Sequence, residues 1–347
     1  VDPDREPTQD PTLASGRLEA WLAANVAGFR GPVRLAKFAG GQSNPTYKVS
    51  AASGDYVLRR KPLGLTLPKA HAVDREYRVL SALSGAGIPL PKVHALCRDD
   101  GVIGSMFYVM DMVEGRTFWD PRLPELSRTE RGAVFASMNQ VIADIHSIDP
   151  AAVGLGDFGR SENYLQRQIT LWTKQYRAAE TVPNPAVERL IQWLPDNVPA
   201  EHPARIVHGD YRLDNVLIHP TEPRVVAVLD WELATIGNPI ADFAYHALTW
   251  RFAPELFRGL AGEDLASLGI PGERQYLDTY LARTGLAPPR DWEFYLILSM
   301  FRIVGLMQGI AKRALDGTAT NENATAIGAK AVPISQLAWS MVAQREA

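Results

Sequence analysis

Cys97 is the only cysteine in the 347 residues, so no disulfide can form within the chain, and a reducing cytosol is the expected compartment. Charge of one sign is lacking too. The formal net charge is −3, without the basic excess of a dedicated nucleic-acid binder. The most apolar stretch, Phe294 to Ile310, is interrupted by Arg302 and Gln308, and predicts a buried core helix rather than a membrane span. Val1 to Pro11 lacks the basic-then-apolar layout of a secretory signal and is expected to be a flexible lead-in. No repeat period or low-complexity tract occurs. What is there is an ordinary globular composition, 46% hydrophobic and 22% charged, in a chain long enough for two lobes. Neither nucleic acid nor a membrane is therefore an expected partner.

The chemistry concentrates between residues 208 and 232. His208-Gly209-Asp210-Tyr211-Arg212-Leu213-Asp214-Asn215 is a polar loop with a carboxylate at 210 and an amide five residues on. Val216-Leu217-Ile218 and Val225-Val226-Ala227-Val228-Leu229 read as two strands, with Pro220 to Pro223 supplying the turn between them. Such a hairpin brings Asn215, where the first strand starts, near Asp230, where the second ends. Hard oxygen donors in small number are what Mg²⁺ accepts, its other positions being filled by water and phosphate. Asp210 precedes the pair and is placed to orient a hydroxyl nucleophile or take its proton. A surface hairpin with incidental acids would explain any one of these residues but not the set.

Base, amide and metal carboxylate in this order form the phosphoryl-transfer layout of eukaryotic-type kinases. Glycine after His208, and Asp230-Trp231-Glu232 at the second site, make the segment resemble the aminoglycoside phosphotransferase and choline-kinase branch of that superfamily. Tyr56-Val57-Leu58-Arg59-Arg60-Lys61-Pro62 together with Ala70 to Leu80 narrows the resemblance to phosphotransferase domains related to those fused to acyl-CoA dehydrogenases. The resemblance runs from about Leu35 to the end. It implies an α+β, protein-kinase-like fold of two lobes: residues 1–113 with a five-stranded antiparallel sheet and one helix that bind ATP, and residues 114–347, mostly helical, with the catalytic loop, metal site and acceptor pocket.

Within the first lobe, strands are predicted at Val33 to Phe38, Thr46 to Ser50, Tyr56 to Arg60, Val93 to Cys97 and Met106 to Met112, with a helix over Ala72 to Ala86. The turn Ala39 to Asn44 holds Gly40 and Gly41, whose backbone allows close approach to phosphates, and places Ser43 and Asn44 there. Glu76 sits on the edge of the helix's apolar stripe, where a carboxylate needs a partner. The resemblance supplies Arg59, in the place of the usual lysine, as that partner and as the cation on the α- and β-phosphates. It also implies that the adenine bonds the carbonyl of Asp111 and the amide of Val113. Catalysis by Asp210, Mg²⁺ on Asn215 and Asp230, and ATP as phosphoryl donor follow from the same resemblance. Asp242 is expected to brace the catalytic loop, and His146 to be a core or capping residue.

The acceptor predicted for this branch is a hydroxyl of a small molecule, such as a hydroxyacyl compound or hydroxyacyl-CoA. An antibiotic kinase, a nucleotide-binding regulator without catalysis, and a partner subunit for an acyl-CoA dehydrogenase are the alternatives. The fold alone selects none of them.

Overall fold

A computed structural model describes residues 8–9, 13, 16–38, 44–63, 72–319 and 323–346. The chain divides into two compact units, one of Val1–Thr117 with Val153–Leu155 and Leu213–Ala234, the other of Phe118–Ala152, Gly156–Arg212 and Thr235–Ala347.

The first unit is built on an antiparallel sheet. Its strands are β1 (Thr8–Gln9), β2 (Arg34–Lys37), β3 (Thr46–Ala51), β4 (Gly54–Arg60), β5 (Val93–Cys97) and β6 (Phe107–Asp111), in the order β1-β2-β3-β4-β6-β5. The five expected strands are present. A sixth, two-residue strand arises where a flexible lead-in was expected, because Thr8 and Gln9 pair with Lys37 and Ala36 on the open edge of β2. Strand alternation sorts side chains between the two faces. Tyr56 and Leu58 of β4, with Phe107 and Val109 of β6, join a core against Leu18 and Leu22 of helix α1 (Gly16–Asn25) and Val26 just after it. Val57 and Arg59 therefore point to the other face, toward helix α2 (Val73–Leu83). That helix buries Val73, Val79, Leu80 and Leu83 together with Glu76.

The hairpin of Val216–Ile218 and Val225–Val228 belongs to this unit, not to the C-terminal lobe in which the sequence placed it. Backbone bonds hold it there. Arg116 and Ile218 exchange N–H···O bonds of 2.6 and 2.9 Å, and the Val228 amide donates to the Pro89 carbonyl at 2.9 Å. Gly115 permits the contact, since a Cβ there would lie 2.8 Å from the Leu217 Cβ and 3.0 Å from the Ile218 carbonyl oxygen.

The second unit is helical. Helix α3 (Arg128–Ser147) starts at Ser127 in a full capping box with Glu130. Helices α4 (Tyr164–Ala179), α5 (Pro185–Asp196) and α6 (Pro239–Ala247) follow in chain order. The helix Trp292–Leu315 buries residues on nearly every side, among them Leu296, Met300, Phe301 and Val304. By length and composition it is also apolar enough to cross a membrane, but 72% of its apolar window is buried inside the protein. Two helices, Ala324–Ala329 and Ala331–Glu346, follow it. Residues 235–237 form a strand because they pair with Arg205–Val207.

His246 of α6 is buried among the rings of Tyr211, Phe243, Trp250 and Tyr276. Burial lowers its pKa from 6.5 to about 4. Folded His246 thus refuses a proton that the unfolded chain accepts below pH 6.5. Stability should fall as pH is lowered from about 6.5 to about 4, by up to ~3 kcal/mol from this group. Thermal midpoints across that range should show a shallower acid slope for His246→Phe than for the wild type; equal slopes would acquit the residue.

Candidate active site

In the first unit the site is assembled around Arg59. Register places Arg59 opposite Tyr108, and alternation turns both toward α2. Glu76 meets them there. Its carboxylate lies 2.8 Å from Arg59 Nε and accepts hydrogen bonds from the Tyr108 hydroxyl and the Trp231 amide. Burial pushes the Glu76 pKa up, while Arg59 pulls it down. Burial works against the Arg59 charge as well, but Glu76, Asp230 and Glu232 together outweigh it and raise the Arg59 pKa. The expected Arg59–Glu76 pairing is thus present, and it has further members. Arg59 Nη2 reaches Asp230 Oδ1 at 2.5 Å and Glu232 Oε2 at 3.4 Å. Asn44 is buried, and its amide donates to Glu232 at 3.1 Å. Ser43 lies outside the described residues.

The hairpin brings Asn215 and Asp230 together as its geometry requires. Leu213–Asn215 forms a single 3₁₀ turn before the first strand. The carbonyl of Asn215 accepts from the amide of Leu229, the residue before Asp230, at 2.8 Å. Asp230 has φ 63°, in the left-handed region that Asp tolerates better than most residues. It lies between the strand and the turn Trp231–Leu233. Among the described residues no group of three or more His, Cys, Asp or Glu side chains is arranged to hold a metal. One carboxylate and one amide oxygen are instead the sparse, hard donor set that Mg²⁺ accepts when phosphate and water complete its shell. The residues present therefore fit that ion.

At the end of β6, Asp111 receives a bond from the His94 ring at 2.6 Å, and its amide donates to the Lys92 carbonyl at 2.8 Å. Val113 follows the strand, before the bridge from Arg116 to Ile218. The strand end is thereby anchored on its own side chain and backbone.

In the second unit the loop carrying Asp210 is held from beneath by Asp242. The amides of His208 and Gly209 donate to the two carboxylate oxygens of Asp242, each at 2.8 Å. Gly209 has φ 83°, a conformation that favours glycine. His146 Nε2 lies 3.1 Å from Asp242 Oδ2, and its Nδ1 lies 2.6 Å from the Tyr280 hydroxyl. A carboxylate can only accept, so Nε2–H donates to it. Burial pushes the Asp242 pKa up, yet the His146 and His208 contacts bring it below the usual carboxylate range. His146 is thus a core residue, and Asp242 braces the loop.

Asp210 itself is met by two donors that the sequence did not single out. Arg212 Nε lies 3.0 Å from its Oδ1. Tyr245, one turn beyond Asp242 on α6, donates its hydroxyl to the same carboxylate. Burial first and then the Asp210 charge push the Tyr245 pKa up, so the phenol stays a donor. Spacing of three on a helix was the one available hint, and it names a face rather than a partner. A carboxylate so held keeps a fixed orientation and still has acceptor positions for a substrate hydroxyl.

Asp242→Ala would leave two buried backbone amides and His146 without their acceptor. It should cost about 3 kcal/mol of stability in urea unfolding. A loss well under 1 kcal/mol would show that the loop does not depend on this carboxylate.

Residues 34–293 match the phosphotransferase enzyme family model. The mouse protein acyl-CoA dehydrogenase family member 10 is 45% identical over 312 residues, which cover 89% of this chain and 29% of that protein. The chain therefore spans less than a third of this curated relative. A crystal structure from Ralstonia eutropha JMP134, of a protein classed with the aminoglycoside phosphotransferases, has 49% identity and a TM-score of 0.88, covering 97% of this chain and 99% of that one. A thermostable mutant of aminoglycoside phosphotransferase APH(4)-Ia, in ternary complex with ADP and hygromycin B, has a TM-score of 0.58 over 92% of this chain and 98% of that one. At 17% identity that likeness shows the kinase-like fold alone. On the family match and these relatives, the chain belongs to the phosphotransferase enzyme family that includes the aminoglycoside phosphotransferases.

Proposed function

We propose that this phosphotransferase moves the γ-phosphoryl group of ATP to a hydroxyl of a small hydroxylated acyl compound, as the free acid or its thioester. The observation that supports the donor half is the backbone bond from Leu229 to Asn215, which brings Asn215 next to the residue before Asp230 in the unit that also holds Arg59 and Glu76. The acyl class is supported by the relatives, whose names are those of acyl-CoA dehydrogenases.

Asp210 accepts a hydrogen bond from the acceptor hydroxyl and so aims its oxygen. As the oxygen–phosphorus bond forms, the bond from the γ-phosphorus to the β–γ bridging oxygen breaks, ADP leaves, and the proton passes to the Asp210 carboxylate. The transition state is loose, so the residues act chiefly by position and charge. Arg212 and Tyr245 keep Asp210 from rotating away. Asn215 and Asp230 would hold Mg²⁺, which supplies positive charge to the phosphate oxygens when bound. Arg59 contributes a cation whose charge Glu76 secures. The backbone at Asp111 and Val113, with Ser43 and Asn44, is proposed to take the nucleotide's base and phosphates.

Asp210→Ala should leave nucleotide binding intact while phosphate transfer falls about a hundredfold or more. Unaltered turnover with any accepted hydroxyl compound would remove Asp210 from the reaction. Asp230→Ala should instead abolish the magnesium dependence of ATP binding. Calorimetry that finds normal magnesium-dependent affinity in that variant would overturn the metal assignment.

A further inference from the structure

Arg302 projects from the long helix Trp292–Leu315 into a cavity that it shares with Tyr164, Gln168, Trp172 and Ser299. Its guanidinium lies between two aromatic rings, 4.5 Å from the centroid of Tyr245 and 5.5 Å from that of Trp172. Trp172 is itself fixed, its indole N–H donating to Gln168 Oε1 at 3.1 Å. The rings attract the cation and hold its plane, but they accept none of its N–H groups in the manner of an oxygen. Arg302 Nε is buried without a hydrogen-bond partner among the described residues. The acid at this cavity, Asp242, is taken up by His146 and two backbone amides. A guanidinium has five N–H donors and is charged at any working pH, so the arrangement lacks an oxygen acceptor.

The position of that cation gives it a meaning. The Tyr245 ring that Arg302 covers carries the hydroxyl that donates to Asp210. One tyrosine thus joins the proposed catalytic base to the unsatisfied cation. With Arg212 on the other side of Asp210, the surroundings of the base are cationic. A polyamine acceptor would meet repulsion there, whereas an oxygen-rich acceptor would not.

We infer that Arg302 is a specificity-determining residue that binds a carboxylate or carbonyl oxygen of the acceptor, selecting hydroxylated acyl compounds over cationic alcohols. This rests on the phosphotransferase reading only for what happens next to the hydroxyl; the recognition of the oxygen does not require turnover.

The test uses four matched acceptors that share a primary hydroxyl: 4-hydroxybutanoate, its CoA thioester, 1,4-butanediol and 4-amino-1-butanol. Binding to the full chain is measured by calorimetry with the nucleotide analogue AMP-PNP and Mg²⁺ present, and phosphate transfer is measured separately with ATP. The wild type should bind the acid or the thioester about ten- to a hundredfold more tightly than the diol, the range expected for one charge-assisted contact. The amine should bind most weakly. Arg302→Gln should erase the preference, and Arg302→Lys, which keeps the charge without the planar fork, should restore part of it. Affinity for AMP-PNP should not change in either variant, which separates the role from a general loss of structure. Tighter binding of the acid than of the thioester identifies a carboxylate as the ligand, and the reverse identifies an acyl carbonyl. A wild type that binds the diol or the amine as well as both acyl compounds overturns the inference, as does an Arg302→Gln protein that retains the preference. A preference lost in Arg302→Gln without phosphate transfer to any of the four sinks the kinase reading and leaves the Arg302 assignment standing. Transfer without preference does the opposite.

Discussion

The first unit depends on one buried cation. Arg59 is surrounded by Glu76, Asp230 and Glu232, which come from two distant parts of the chain. Glu76 stands on the helix that covers the sheet, Asp230 ends the hairpin, and Glu232 lies in the turn after it. An isolated charge at such depth is costly, and a paired one is tolerated only with good geometry. Each partner is therefore obliged to stay where Arg59 can reach it. Helix, strand and hairpin are coupled through a single side chain, and the Trp231 amide on Glu76 closes the same circuit through the backbone.

The second unit repeats that logic with the sign reversed. There the buried ion is Asp242, and the His146 side chain and two backbone amides together compensate it. Two adjacent N–H groups aimed at one carboxylate fix the backbone on which Asp210 stands. The result is an orientation that Arg212 and Tyr245 then trim at the carboxylate itself. A base need not have an unusual proton affinity to be effective if its direction is held this firmly.

The parts legible in the sequence are those governed by periodicity or by a motif with a mechanism. The family resemblance was enough to pair Arg59 with Glu76, and alternation in β4 agrees with it. The apolar pair of strands flanking Pro220 to Pro223 was enough to return Asp230 to Asn215. The apolar run from Phe294 to Ile310 was enough to announce the buried helix Trp292–Leu315. What could not be read depends on contacts between distant segments. Nothing in the local pattern of Thr235 to Gly237 announces a strand, because its partner at Arg205 to Val207 lies some thirty residues earlier. Tyr245 and Arg302 look like ordinary members of helices until three-dimensional packing lays one over the other. Glu232 is visible as part of an Asp-Trp-Glu motif, but its bond to Asn44 spans 188 positions.

The return of residues 213–234 to the sheet unit means that the sheet unit is not a contiguous stretch of sequence. A protein ended at residue 113 would retain every main strand of the sheet and still lack the hairpin that bonds to Pro89 and Arg116. It would also leave Glu76 and Arg59 without the Trp231 amide and the Asp230 carboxylate. No single cut can therefore release a complete sheet unit. Whatever larger architectures accommodate this family must carry it as one indivisible insert.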